Sequence, residues 1–149
     1  MQLQIQPIET ADIEAFLGFC GELYAFDGQT SFDSEAARPA AQQLLENPQL
    51  GRAVWLLLNG ERTGYLVLCF GWSFEFGGRT AILEHLWVRE PFRRRGIART
   101  AIEWADALCR DEGVGSVYLG VENSNQAAQN LYEKCGYGNS NLLFWMKQF

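Results

Sequence analysis

The chain has 149 residues, a formal charge of −6, 48% apolar and 13% aromatic residues, the make-up of one globular domain over 1–149 and not of a disordered chain. Its longest apolar runs, residues 53–58 and 65–70, are strand-sized and far below the roughly 20 residues that cross a membrane; residues 1–9 show no basic region ahead of an apolar block, so a cytoplasmic protein without membrane contact is expected. Four cysteines without C-x-x-C spacing and one histidine, His85, exclude the common zinc cages, so no metal is expected, and they weaken any Ser-His-Asp or Cys-His hydrolase reading.

In chain order, residues 3–8 (LQIQPI) alternate and read as a first strand. From Thr10 as N-cap, Ile13, Phe16, Leu17, Cys20 and Tyr24 fall on one face of a helix ending near Asp27-Gly28. Residues 33–47 read as a second helix, which Pro39 must start or interrupt. Residues 52–72 form two apolar strands around an Asn59-Gly60 turn, and 80–88 (TAILEHLWV) are another strand. Ile97, Ala101, Trp104, Ala105 and Leu108 mark a helix to about Gly113. Residues 116–121 (SVYLGV) read as a buried strand, 123–137 as a short helix with an Asn or Ser cap and Gly136 beyond its end, and 142–147 (LLFWMK) as a last strand. The expected fold is mixed α/β: a mostly antiparallel central sheet of about six to seven strands flanked by about four helices.

Charge is unevenly spread. Residues 1–50 carry eight acids and one base, Arg38, whereas residues 88–99 (VREPFRRRGIAR) carry five arginines against one glutamate. No long basic face for a duplex exists, so no nucleic-acid partner is expected. A strand feeding a glycine-containing turn that opens a helix is instead an anion site: the first helical N–H groups lack intrahelical partners and the helix dipole adds partial positive charge. Arginine forks suit phosphate oxygens. The expected ligand is a pyrophosphate or a similar doubly charged group, the bland alternative a solvated basic turn. Neither G-x-G-x-x-G nor a Walker motif is present.

The stretch Arg93-Arg94-Arg95-Gly96-Ile97-Ala98 resembles motif A of the GNAT superfamily of N-acetyltransferases, Arg/Gln-x-x-Gly-x-Gly/Ala. Leu86-Trp87-Val88 followed by Pro91 is similar to the family's preceding strand. Asn125, Ala128, Leu131, Tyr132, Gly136 and Tyr137 match its N-x-x-A-x-x-L-Y-x-x-x-G-F/Y pattern. Element order agrees from the first helix to the last strand. The likeness is nearest to the diamine-type and other small-amine members, whose strands resemble AILEHLWV but often carry an acid where this chain has His85.

The resemblance implies acetyl-coenzyme A as donor, its pyrophosphate on the backbone amides of 94–99, bounded by Arg93, Arg94, Arg95, Gly96, Ile97, Ala98 and Arg99. It implies a pantetheine arm along Leu86, Trp87 and Val88, with the Val88 N–H on the thioester carbonyl. It also implies Asn125 on the arm, Ala128 beside it, Tyr132 as the acid that protonates the leaving thiolate, and a homodimer with the C-terminal strand at its interface. For the base, Glu84 is the residue read from the strand: alternation places it on the face of Ile82, Leu86 and Val88. Glu122, His85 and a water chain are alternatives. The acceptor pocket is expected between residues 20–35 and the 70–80 hairpin. There Tyr24, Asp27, Trp72, Glu75 and Glu84, with Glu22, Phe26 and Phe74, give an acidic and aromatic mixture suited to a cation. The expected activity is acetyl transfer to a small primary amine; acetylation of a protein lysine or N-terminus, or a non-catalytic acyl-CoA-binding module, are the competing readings.

Overall fold

Two long apolar strands, β2 (Gly51–Leu58) and β3 (Glu61–Ser73), form the expected hairpin and the middle of the sheet. The computed structural model describes residues 2–29 and 31–149. Around the hairpin run β1 (Leu3–Pro7), α1 (Ile13–Phe26), α2 (Ser34–Glu46), β4 (Gly78–Val88), α3 (Ile97–Asp111), β5 (Ser116–Tyr118) and α4 (Gln126–Lys134). The sheet order is β1-β2-β3-β4-β5, antiparallel throughout except for the parallel β4–β5 pair.

Alternation along β2 and β3 gives the sheet two apolar faces. Leu56, Leu66, Leu68, Ala81 and Leu83 pack against Ile97, Ala101, Ile102 and Ala105 of α3, with Leu131 and Tyr132 of α4 at the margin. Trp55, Tyr65, Val67 and Trp87 face Phe16, Phe19 and Cys20 of α1, and α2 adds Leu44 and Leu45. Full burial of each large apolar side chain contributes about 1.5–3 kcal/mol, so a sheet coated on both faces holds its register firmly. Gly64 is required at that register, because a Cβ there would lie 2.1 Å from the Trp87 carbonyl oxygen.

Among the described residues five strands form, fewer than the six to seven expected. The segment read as the last strand lies in residues 139–149, which join no strand and expose Leu142, Leu143, Phe144, Trp145, Met146 and Phe149. The strand read over 116–121 is three residues long and only half-buried. Pro39 neither starts nor stops α2: it sits inside the helix, whose N-cap Asp33 accepts a bond from the Ala36 N–H at 3.0 Å. The first helix opens through a 3-10 turn (Thr10–Asp12), with Glu9 and Asp12 forming a reciprocal capping box where Thr10 was expected as cap.

Strand β4 carries a bulge. Val67 pairs with His85 and Leu68 with Leu83, so Glu84 is the extra residue. The bulge overturns the alternation expected for Glu84. Leu86 and Val88 belong to the α3-side core with Ala81 and Leu83, while the Glu84 carboxylate turns to the other face and accepts a bond from the Cys69 thiol at 2.8 Å.

Candidate active site

Strands β4 and β5 stay paired only from Thr80–Ser116 to Ile82–Tyr118. Beyond that point they part, which leaves the β4 edge from residue 83 to 88 open. The N–H of Arg89 donates to Thr63 of β3 at 2.8 Å. In an antiparallel ladder successive N–H groups alternate in direction, so the Val88 N–H points to the open edge. A cleft of about 490 Å³ fills the opening.

Four elements supply its walls. The end of α1 brings Tyr24 and Asp27; β4 brings Glu84, His85, Leu86 and Trp87; the loop after β5 brings Glu122; and α4 brings Asn125, Ala128 and Tyr132. Asn125 is the N-cap of α4, its Oδ1 accepting from the Ala128 N–H at 3.1 Å. The cap spends one face of the amide and leaves its NH₂ for a ligand. Burial pushes the Tyr132 phenol up, with the charge of Asp27 adding to the effect, so Tyr132 holds its proton at neutral pH. Burial also raises the Asp27 carboxyl, helped by Glu122 and opposed by His85. For His85 burial is the larger influence and lowers its pKa, against the pull of Glu84 and Asp27.

The arginine-rich turn begins after Val88. Pro91 lies in a 3-10 turn (Glu90–Phe92), Arg94 has φ 64° and Gly96 has φ 81° as the N-cap of α3. No side chain caps that helix, so its first amides stay open, and a Cβ on Gly96 would meet nothing within 4 Å. Glycine is needed there for its left-handed backbone, not for space. The guanidinium groups do not simply ring the turn. Arg93 donates to the Val88 carbonyl at 2.8 Å and stacks over Phe26 and Trp87, each 4.7 Å to the ring centre. Arg95 donates to the Pro91 carbonyl at 3.1 Å and Arg99 pairs with Glu103 at 3.0 Å. Arg93 and Arg95 therefore hold the turn in shape, and Arg94 stands exposed.

An open strand edge running into an uncapped helix start, with a phenol across the gap, is the shape of a site for an extended, anion-bearing ligand. The model of the acetyltransferase (GNAT) family matches residues 19–137. The chain belongs to the GNAT family of acetyltransferases. It is similar over 95% of its length, at 26% identity, to the uncharacterized N-acetyltransferase YdgE of Bacillus subtilis, of which 96% is covered. A possible acetyltransferase from Clostridium difficile 630 superposes with TM-score 0.86 at 17% identity, covering all of this chain and 99% of that one. The aminoglycoside N-acetyltransferase AAC(6')-Iy, solved with CoA, superposes with TM-score 0.83 at 15% identity over 99% of this chain and 95% of that one. Acetyl-CoA dependence and N-acetyltransferase activity come with the family.

Against this acetyltransferase, the residues expected for the acceptor divide. Tyr24, Asp27 and Glu84 converge on the cleft. Trp72 and Glu75 do not: they belong to the tip of the β3–β4 hairpin, where Trp72 is 80% exposed and packs beside Gly78. Glu22 is consumed by structure, accepting from Trp87 Nε1 at 3.0 Å and from Arg89 Nη2 at 2.5 Å. The acidic side of the cleft therefore lies between the end of α1 and the loop after β5, not toward the hairpin. Sequence reasoning missed Tyr65, whose hydroxyl lies 3.0 Å from His85 Nδ1. Its alternation with Val67 on β3 was the available signal, but strand alternation does not distinguish a core tyrosine from one behind a site.

Proposed function

We propose that this acetyltransferase transfers the acetyl group of acetyl-CoA to a primary amine of a small molecule, by direct attack in a ternary complex. The observation that carries the reading is the convergence of Tyr24, Asp27, Glu84 and Glu122 on one cleft, opposite Tyr132. Three carboxylates and an aromatic ring suit a cationic acceptor. Two structural neighbours are aminoglycoside acetyltransferases by name, which supports a small-molecule acceptor.

The amides at the start of α3 would take the diphosphate, and Arg94 the outer phosphate oxygens. The pantetheine arm would run along the open edge at Leu86, Trp87 and Val88, past Asn125 and Ala128. The Val88 N–H, aimed at that edge, would meet the thioester oxygen and stabilise the oxyanion as it forms. A primary amine has a pKa near 10.4 and must lose a proton before it attacks. The Glu84 carboxylate, which accepts a bond from the Cys69 thiol at the bulge, would hold the ammonium against the thioester while its proton leaves through the cleft. The new C–N bond forms, the C–S bond breaks, and Tyr132 gives its proton to the sulfur.

A thiol-release assay with acetyl-CoA against diamines, amino acids, aminoglycosides and lysine peptides tests the reading. Turnover confined to the small amines is expected; turnover of peptides alone would replace the acceptor class, and no turnover on any of them would overturn the small-amine reading. The enzyme is further inferred to be a homodimer. Six large side chains of residues 142–149 are exposed, and three of them, Phe144, Trp145 and Phe149, are aromatic, at about 150–250 Å² each, a large share of the roughly 800 Å² per partner of a stable interface. Cys20, Cys69, Cys109 and Cys135 are all free thiols, which supports a reducing cytoplasmic setting.

A further inference from the structure

The chain's single histidine lies on the wall of the cleft, and the mechanism above does not use it. Its setting is unlike that of a packing residue. Tyr65 is fully buried, clamped edge-on by Phe16 and Phe19 with ring centres 5.5 and 6.3 Å away. Its hydroxyl meets His85 Nδ1 at 3.0 Å, and Tyr24 closes on the imidazole from the side at 5.9 Å. One nitrogen of the ring is thus fixed on the core side, which leaves the opposite ring edge, with Nε2, for the cleft.

We propose that His85 accepts the proton of the acceptor amine at Nε2, and that Tyr65 is the positioning residue that selects the tautomer. The inference deepens the acetyl-transfer reading and rests on it for its substrate. In this arrangement Nδ1–H donates to the Tyr65 oxygen and the Tyr65 hydroxyl turns to the Cys20 sulfur beside it. The Nε2 lone pair is then free. The acceptor nitrogen enters as an ammonium and ends as an amide, so it gives up two protons. One goes to Nε2 and out to water; the other restores the proton that Tyr132 delivers to the coenzyme A sulfur. No oxidant or metal is needed.

Titratable groups face the imidazole from several elements. They are Tyr24 and Asp27 from α1 and its end, Tyr65 from β3 with Cys20 behind it, Glu84 from β4, and Glu122 and Tyr132 across the cleft. Burial is the largest influence and holds the imidazole below the ordinary 6.5, while Glu84 and Asp27 pull it back up. His85 is therefore neutral, and able to accept, at pH 7. Because kcat/KM reports the free enzyme's base, it should fall as pH drops below 6.5.

The untagged chain gives one histidine signal in ¹⁵N NMR, a readout independent of turnover. The expected result is the Nδ1–H tautomer at pH 7.5, titrating below 6.5, with the midpoint lowered further in Glu84→Gln and Asp27→Asn. In Tyr65→Phe, which keeps the packed ring, a mixed tautomer is expected, with kcat down and the KM for acetyl-CoA unchanged. His85→Gln should lower kcat by about 10²–10⁴-fold and abolish the acidic limb while coenzyme A still binds. An Nε2–H tautomer, or a His85→Gln enzyme with the wild-type rate and pH profile, would overturn the proposal and leave acetyl transfer standing. A wild-type chain inactive on every amine would remove the transfer reading and this role together.

Discussion

Tyr132 sits half-buried on α4, its phenol kept protonated by burial, and a proton held to high pH is what a leaving thiolate needs. Tyr132→Phe should lower kcat by about 10²–10⁴-fold with coenzyme A affinity unchanged, measured by steady-state kinetics and calorimetry. Gly96 is a second single-residue test. An L side chain at φ 81° costs about 1–2 kcal/mol, so Gly96→Ala should weaken coenzyme A about tenfold if the turn relaxes, with the loss read by calorimetric titration. Both residues stood out in the sequence, Gly96 because a glycine opening a helix is a local pattern and Tyr132 because its spacing from Asn125 resembles the family's motif. Glu84 was legible as a residue but not in its direction. One extra residue in β4 shifts a period of two, and nothing local marks Glu84 as the bulge instead of Leu83 or His85.

Among the elements, α1 and β4 are joined by a clamp that no local pattern announces. Glu22, Trp87 and Arg89 lie 65 and 67 residues apart in sequence, yet the carboxylate accepts from both the indole and the guanidinium, and Arg89 also lies 3.8 Å over the Phe19 ring. The Arg89 hydrogen bond is the largest influence that holds the Glu22 carboxyl below its ordinary 4.5. A depressed carboxyl contributes stability above its unfolded pKa, and that contribution is lost as pH falls through the folded one. Unfolding midpoints taken between pH 7 and pH 3 should therefore drop more steeply below about 4.5 in the wild type than in Glu22→Gln. Equal slopes would show that the clamp does not discriminate between protonation states. The turn before α3 carries a related lesson. Its arginines were legible as a cluster, but Arg93 and Arg95 are partly spent on the Val88 and Pro91 carbonyls, because a turn with two left-handed residues leaves carbonyls that need donors.

For the whole molecule, the four helices followed from period and turn signals and each of them forms, but their division between the two faces of the sheet, α1 and α2 on one and α3 and α4 on the other, comes only with the structure. The C-terminal segment did not follow. Residues 142–147 have the composition of a strand, and composition does not say whether an edge is available to receive it. Phe144 is 91% and Trp145 86% exposed, a contiguous apolar surface that solvent does not favour. Ending the chain at residue 138 should convert a dimer to a monomer in light scattering while coenzyme A affinity persists. A dimer that survives the truncation would place the interface elsewhere, and a full-length monomer would remove it.

The claim on which the functional account stands is that the amides opening α3 hold the diphosphate of coenzyme A, and a crystal structure of the protein grown with coenzyme A tests it most directly. The expected result is diphosphate within hydrogen-bond distance of the amides of residues 94–99, with the pantetheine arm on the open edge of β4. Coenzyme A bound away from that turn, or a turn left unliganded at millimolar coenzyme A, would contradict it.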